Sequence, residues 1–299
     1  MAPLGPLGAG VRRGDLHELG RDRRRVGAGL QLVLEQAGVA LAAFVVVLGA
    51  FGQRLTDAHH HATFDLTAVH HRISNPKANP GDWRDYSRDA TLRSVEQSLT
   101  RLGTDRLDIA FVHDCDDDPG AALDGALPAL AELKAQGVVG ALGVGSNFAA
   151  THLALLREAE LDVLMVAGRF TLLDQSAAPD LFPLCRQRGT QVELASPFNS
   201  GILATGPDDP ATRFDYQPPD AATRAKVRAI QKACAAHDVT LKRAALHYSA
   251  AHPAVTRLVL GLTAPAGLRS NLADLSAPVP AALWPALAAL GIPAPTEQP

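Results

Sequence analysis

Cysteine and net charge are both scarce in this chain, and each shortage excludes a class of protein. The 3 cysteines among 299 residues lie far apart, at Cys115, Cys185 and Cys234. Their odd number and wide spacing exclude a disulfide framework and do not suggest zinc, so we expect a reducing, cytoplasmic setting. A formal net charge of −3, with no basic stripe after residue 30, gives no electrostatic basis for binding nucleic acid.

Long hydrophobic runs are also missing. The apolar run at residues 39–51 is too short for a relaxed membrane span, and it predicts a buried helix or strand. Arginines precede this run, as in a secretory signal, but Glu35 and Gln36 intervene and the run begins late. We therefore expect neither membrane anchoring nor secretion.

A histidine-rich stretch precedes the regular part of the chain, with His59, His60, His61, His70 and His71. A dedicated metal site needs such ligands at helical or paired-strand spacing, completed by carboxylates or cysteines. Only Asp57 and Asp65 lie nearby. We favour a solvated loop and predict no metal, with a metal-dependent hydrolase as the alternative.

Apolar strands that end in polar residues alternate with helices from residue 86 onward. The first strand covers residues 107–112 and ends at His113, and the others are predicted over residues 138–144, 161–166, 191–195 and 256–260. Helices are predicted over residues 89–102, 123–136, 151–159, 178–188, 220–236, 241–251, 265–275 and 281–290. This alternation indicates βαβ crossovers and a parallel sheet.

A (β/α)8 TIM barrel gathers the carboxyl ends of such strands at one rim, and a doubly wound sheet is the alternative α/β fold. Five strand–helix units are visible, so three have to come from residues 1–85 or be missing. We therefore divide the chain into an atypical N-terminal segment, residues 1–84, which can leave the barrel incomplete, and a barrel portion, residues 85–299.

The polar strand ends suggest a nucleotide site. Residues 196–201 are rich in small residues whose backbone can approach a phosphate, and residues 261–271 form a second such loop that runs into a helix. Ser146 and Asn147 offer the donor and acceptor that a carboxamide needs, and Phe170 offers a flat face. Turn capping by Ser146 and Asn147 and core filling by Phe170 are the alternatives.

Several of these segments, in this order, resemble the aldo-keto reductase family. The resemblance rests on DYS at residues 85–87, SVEQSLTRLGTDRLD at 94–108, VHD at 112–114, QGVV at 136–139, GVGSN at 143–147, AGRFTLLDQ at 167–175 and PFNSGIL at 197–203. It covers about residues 85–275 and looks like the branch that oxidises aldoses such as L-fucose and D-threo-aldoses at carbon 1.

The resemblance implies a barrel that uses NAD or NADP without metal on a small sugar or aldehyde. In the family a tyrosine donates or accepts the proton, a lysine and an aspartate tune it, and a histidine orients the substrate oxygen. His113 matches the histidine. Ser146 and Asn147 would hold the nicotinamide carboxamide, and Phe170 would stack on the nicotinamide.

The same resemblance assigns the pyrophosphate and adenosine contacts. The loop over the pyrophosphate would consist of Ser196, Pro197, Phe198, Asn199, Ser200 and Gly201. Arg269 and Asn271 would lie near the adenosine. Gly261 and Gly267 stand where many NADP-preferring members carry basic residues, which favours NAD.

The N-terminal segment departs from the family pattern. No tyrosine occurs before Tyr86, so the catalytic tyrosine of the family has no counterpart there. The sequence around Asp57 matches the segment of the family aspartate poorly, and Lys77 lies in a loop-like sequence instead of at a strand end. We therefore weigh two functions: a dehydrogenase acting at carbon 1 of a sugar or aldehyde, and a catalytically impaired barrel that still binds nucleotide. The sequence leaves the oligomeric state open.

Overall fold

One six-stranded sheet organises the computed structural model, which describes residues 44–49, 85–102, 104–262 and 265–295. Its strands are β1 (Phe44–Gly49), β2 (Leu107–His113), β3 (Val139–Ser146), β4 (Val163–Ala167), β5 (Gln191–Ala195) and β6 (Val255–Leu262). Hydrogen-bonded neighbours follow the order β1-β6-β5-β4-β3-β2. Strands β2 to β6 are all parallel, which confirms the predicted βαβ crossovers.

Helices connect these strands and cover one face of the sheet. They are α1 (Arg88–Leu102), α2 (Leu127–Ala135), α3 (Ala149–Glu158), α4 (Leu181–Arg188), α5 (Ile202–Thr205), α6 (Ala221–Ala235), α7 (Leu241–Ala251), α8 (Pro265–Ser276) and α9 (Leu283–Ala288). A π-helical turn, Ala122–Ala126, leads into α2, so the helix predicted over residues 123–136 is interrupted near its start. No helix in the described ranges is long and apolar enough to cross a membrane.

The strand β1 lies inside the apolar run for which the sequence allowed either a helix or a strand. It pairs antiparallel with β6, from Phe44 opposite Leu262 to Gly49 opposite Arg257. This pairing extends β6 beyond the predicted residues 256–260. Gly261 therefore lies within a strand opposite Val45, and the turn predicted to begin there is wrong.

The two faces of the sheet carry different side chains because successive strand residues point to opposite sides. One face packs into the main core with the helices, through residues such as Val144, Leu164 and Leu194. The other face carries a small separate cluster of Phe111, Met165, Ala167, Ala195 and Val259. In a barrel this second face lines the interior.

A charged pair shares the inner face with this cluster. The Arg257 Nη1 atom donates to Glu193 Oε1 at 2.7 Å, and the Glu193 side chain is only 3% exposed. Glu193 is in register with Met165 on β4 and with Arg257 on β6. Arg257 thus neutralises a carboxylate that would be costly to bury alone.

All three cysteines are free and buried. Burial raises the pKa of the Cys115 and Cys185 thiols to about 12, and that of Cys234 to about 11. The thiolate form, which is the reactive one, is therefore strongly disfavoured at all three positions.

Two buried histidines are held in the neutral form. His252 packs against the rings of Phe170 and Phe182, and its Nδ1 accepts a hydrogen bond from the Ala254 amide at 3.1 Å. Burial lowers the pKa of His252 to about 4, and the charge of Arg186 lowers it further. Burial also lowers the pKa of His152 to about 4, against the opposing effect of the Ser146 carbonyl.

These histidines predict an acid-sensitive fold. Because their pKa values are lower in the folded chain than the ordinary 6.5, the unfolded chain binds more protons between pH 6.5 and 4. The free energy of unfolding should therefore fall as the pH is lowered through this window, by up to about 3 kcal/mol for each histidine. Urea denaturation at pH 7.0, 6.0, 5.0 and 4.5 measures it.

One variant isolates the contribution of His252. His252→Asn keeps an acceptor for the Ala254 amide but does not titrate, so the decline in the free energy of unfolding between pH 7.0 and 4.5 should be smaller by about 2 kcal/mol. The wild type, measured over the same pH series, is the reference. Equal slopes in the wild type and His252→Asn would contradict this assignment.

Candidate active site at the strand ends

Hydrogen bonds join the carboxyl ends of the neighbouring strands β2 to β5. The Asp114 amide donates to the Gly145 carbonyl at 2.9 Å, and the Gly168 amide donates to the Ala195 carbonyl at 2.9 Å. The Asn199 Nδ2 group donates to the Gly168 carbonyl at 3.3 Å. The polar residues that end these strands are thus brought to one rim, as the sequence predicted.

His113 ends β2 on the inner face of the sheet. It is in register with Gly145 on β3, and a Cβ atom at Gly145 would lie 2.8 Å from its Cδ2 and 3.2 Å from its Nε2. The absence of a side chain at Gly145 therefore makes room for the imidazole. His113 Nδ1 lies 3.0 Å from Asp114 Oδ1, and about a third of the imidazole side chain is exposed (34%).

Tyr86 holds the backbone at this point. Its hydroxyl lies 3.0 Å from the His113 carbonyl oxygen and 2.7 Å from that of Asp114, and it donates to both. Asp114 adopts a left-handed backbone conformation, with φ of 53°. Such conformations are uncommon outside glycine, although aspartate tolerates them better than most residues. Tyr86 and β3 together hold the backbone in it.

Ser146 ends β3 and contacts three groups. Its hydroxyl donates to Asp116 Oδ1 and accepts from the Phe148 amide at 2.9 Å. Its carbonyl oxygen lies 3.3 Å from Nε2 of the buried His152. A hydroxyl has two acceptor lone pairs, so Ser146 retains the capacity to accept one further hydrogen bond. Asn147, the next residue, is half-buried.

Arg169, which follows β4, ties three segments of the rim together. Its Nε donates to the Asn147 carbonyl at 2.6 Å, Nη1 donates to Asp174 at 2.7 Å, and Nη2 donates to Asp215 at 3.2 Å. Burial raises the pKa of Asp174, but hydrogen bonds from Ser176 and Arg169 outweigh this effect and leave it lowered. The guanidinium is thus a fixed structural cation.

The loop after β5 has a contorted backbone. Positive φ angles occur at Ser196, Asn199, Ser200 and Gly201. Pro197 and Asn199 are buried, Phe198 is half-buried against the core, and Ser196 and Ser200 are exposed. Clustered left-handed residues occur in backbone concavities that bind anions. The amides of Asn199 and Gly201 already donate within the loop, which leaves fewer donors for a phosphate.

The loop at residues 206–219 folds back onto this rim. Asp215 reaches Arg169, and the Tyr216 amide donates to the Ser200 hydroxyl at 3.0 Å. A single antiparallel bridge, Phe214 opposite Gln217, closes the turn. The Tyr216 side chain is 70% exposed.

Four predicted positions differ from their expected setting. Phe170 is fully buried against Phe182, Tyr248 and His252, so its ring has no face open to a nicotinamide and its stacking role is not supported by its placement. Phe170 follows Arg169, whose side chain takes the rim position, while the phenyl ring enters the core. This is the core-filling alternative that the sequence left open.

The other three positions lie along β6 and α8. Gly261 is an exposed strand residue, whereas Arg269 and Asn271 lie in helix α8 and not in a loop. Arg269 is exposed and Asn271 is buried. None of the contacts described above joins these three residues to the rim formed by β2 to β5.

Several residues of the rim escaped the sequence interpretation. From the sequence, no role is assigned to Asp114 and Asp116, in the acidic stretch after β2, or to Arg169, the residue before Phe170. Their position directly after apolar strands was the available signal. The histidine-rich stretch, Lys77 and Asp57 lie outside the described residues. Within the described residues, no group of three or more His, Cys, Asp or Glu side chains is arranged to hold a metal ion.

Five parallel strands whose polar ends meet at one rim form part of a (β/α)8 barrel. Comparison with known sequences agrees with this class. The profile of the Aldo/keto reductase family matches residues 68–291. The chain therefore belongs to the aldo/keto reductase family.

Its relatives include a D-threo-aldose 1-dehydrogenase from a Pseudomonas species, which is 40% identical over 209 residues. A pyridoxal 4-dehydrogenase from Microbacterium luteolum is 33% identical over 218 residues. These matches cover 69% and 70% of this chain but only 63% and 64% of the two relatives. The chain thus spans slightly less than two thirds of their length.

Solved structures share the fold at lower identity. An aldo-keto reductase from Bacillus halodurans in its holo form has a TM-score of 0.58 at 24% identity, covering 70% of this chain and 69% of its own. A glycerol dehydrogenase from Gluconobacter oxydans has a TM-score of 0.57 at 19% identity, covering 70% of this chain and 65% of its own. They support the barrel fold.

The contact between Gly145 and His113 gives a first prediction for the rim. Gly145→Ala should displace the imidazole, because its Cβ would lie closer to the ring than side-chain carbons normally approach. The histidine ring resonances of His113 in a ¹H–¹³C spectrum should shift, while those of His252 should not. Gly120→Ala is the control, since its nearest atom would be Asp118 Oδ1 at an ordinary 3.5 Å. An unmoved His113 resonance in Gly145→Ala would refute the steric argument.

The three contacts of Arg169 give a second prediction. Arg169→Met should lower the free energy of unfolding by about 2 kcal/mol, because it leaves the largely buried Asp174 without its cation. Arg228→Met removes an ion pair with Asp208 in which both side chains are more than half exposed, and should cost less than about 0.5 kcal/mol. Urea denaturation at neutral pH compares them, and equal losses would count against the structural role of Arg169.

Proposed function

We propose that this chain is an NAD(P)-dependent oxidoreductase that oxidises a sugar or aldehyde at carbon 1, with an aldose as the preferred substrate class. The observation that carries the proposal is the 40% identity to a D-threo-aldose 1-dehydrogenase. The region that carries the resemblance includes the rim residues His113, Ser146 and Asn147.

A buried acceptor at the rim supports the binding of a ligand with N–H or O–H groups. The Asn199 side chain is 1% exposed, and its Oδ1 atom has no hydrogen-bond partner among the described residues. An unsatisfied buried carbonyl oxygen costs about 1–3 kcal/mol, which an incoming donor recovers. A dinucleotide offers such donors in its ribose hydroxyls and carboxamide.

The remaining rim residues fit the other parts of a dinucleotide. Ser146 can accept from a carboxamide N–H through its remaining lone pair, and Asn147 stands beside it. The loop of Ser196, Pro197, Phe198, Asn199, Ser200 and Gly201 would lie over the pyrophosphate.

NAD is our preferred cofactor. Gly261 and Gly267 carry no side chain and so present no cation to a 2′-phosphate. When bound, the oxidised nicotinamide supplies the hydride acceptor, and the chain supplies binding, orientation and a route for the proton. His113, one third exposed at the rim, is the residue we assign to the substrate oxygen. We further propose a cytoplasmic location.

The full 299-residue chain tests the proposal directly. Incubated with L-fucose and NAD, it should generate the near-ultraviolet absorbance of the reduced cofactor, at a rate in the ordinary range of about 1–1,000 per second. NADP in place of NAD tests the cofactor preference, and pyridoxal in place of L-fucose tests the substrate class. Binding of each nucleotide is measured separately by fluorescence titration. Nucleotide binding without turnover would indicate an impaired barrel, and no binding would overturn the proposal.

A further inference from the structure

The hydroxyl group of Ser146 has a fixed polarity, because each of its two side-chain partners allows only one direction for its hydrogen bond. The hydroxyl bonds to a carboxylate oxygen of Asp116, and an ionised carboxylate accepts hydrogen bonds but donates none. The Phe148 backbone nitrogen lies 2.9 Å from Ser146 Oγ, and a backbone N–H only donates. Ser146 therefore gives its single hydroxyl proton to Asp116 and accepts a hydrogen bond from Phe148.

One acceptor lone pair remains on Ser146 Oγ. A hydroxyl carries one proton and two lone pairs, and here the proton and one of the lone pairs are engaged. A further partner of this oxygen must therefore bring an N–H or O–H group. A carbonyl oxygen in the same place would face a lone pair and would gain no hydrogen bond from Ser146.

The backbone of Ser146 is held as firmly as its side chain. Ser146 is 2% exposed and is in register with Val166 on β4. Its carbonyl oxygen lies 3.3 Å from Nε2 of the fully buried His152. Burial lowers the pKa of His152 to about 4, so at neutral pH this ring is neutral and Nε2 donates to the carbonyl. The hydroxyl can therefore present its proton to a ligand only by breaking its bond to Asp116.

We propose that Asp116 is a positioning residue for the cofactor: by holding the hydroxyl proton, it makes Ser146 select the amide N–H of the nicotinamide carboxamide and reject its carbonyl oxygen. This inference rests on the proposed function. A carboxamide offers both kinds of group and can rotate about its bond to the pyridine ring, so the polarity of Ser146 determines which group faces it. Asp116 exerts this control from the turn after β2, 30 residues before Ser146 in the chain.

Two cofactor analogues test the selection without any substitution in the chain. Acetylpyridine adenine dinucleotide has a methyl group in place of the amide NH2, whereas thionicotinamide adenine dinucleotide keeps the NH2 and replaces the oxygen by sulfur. In calorimetric titrations of the wild type, the Kd of the acetylpyridine analogue should be about tenfold above that of NAD, because a buried acceptor is left unsatisfied. The Kd of the thionicotinamide analogue, which keeps the donor, should lie within about threefold of that of NAD.

Substitution of Asp116 should relax this selection. Asp116→Ala frees the Ser146 proton to donate, so the acetylpyridine analogue should bind about fivefold to tenfold more tightly than it binds the wild type. NAD should stay within about threefold of its wild-type Kd, because its carboxamide can turn over. Asp116→Asn, which keeps the shape and can either accept or donate, should give an intermediate preference for NAD. Asp124→Ala, which changes an exposed aspartate in the π-helical turn, is the matched control and should leave both Kd values unchanged.

A double substitution separates positioning from a merely structural role. In Ser146→Ala the preference for NAD over the acetylpyridine analogue should disappear, and adding Asp116→Ala should change neither Kd by more than about twofold. Equal Kd values for NAD and the acetylpyridine analogue in the wild type, or weaker binding of both in Asp116→Ala, would overturn the role of Asp116. Absence of NAD binding to the wild type would instead overturn the proposed function, and the role of Asp116 with it.

Discussion

The parallel hydrogen-bond ladder from β2 to β6 is the constraint on which the rest of this structure depends. Because the strands run in one direction and pair in a fixed register, His113 stands level with Gly145, and Glu193 with Arg257. A shift of one residue in any strand would exchange its inner and outer faces. The apolar residues of the main core therefore fix the position of the polar rim.

The sequence predicted most of this ladder because buried parallel strands are short, apolar and bounded by polar residues. The strand ending at His113 and the strand at residues 191–195 have the predicted bounds, since their apolar runs are sharply delimited. The end of β6 was missed because it depends on pairing with β1, which is distant in sequence. The local pattern of apolar and polar residues does not show which distant strand will pair with β6.

The rim was predicted less completely than the sheet. His113 and Ser146 could be located because each ends an apolar run, but the direction of Phe170 depends on the turn at Gly168, which has a positive φ. Adjacent residues in this turn point in different directions: the Arg169 side chain lies at the rim, and the Phe170 side chain lies in the core. The roles of Asp114 and Asp116 depend on side-chain contacts with His113 and Ser146, and no spacing rule reveals these.

Because all three thiols are buried, their rate of chemical labelling can be used to measure local and global unfolding of this chain. A thiol-reactive dye can modify Cys115, Cys185 or Cys234 only when the surrounding structure separates, so the labelling rate measures local or global unfolding. Cys115 directly follows the His113–Asp114 pair, whereas Cys185 and Cys234 lie in α4 and α6. Peptide mapping of the dye would therefore distinguish fluctuations that begin at the rim from those that begin in the helical layer.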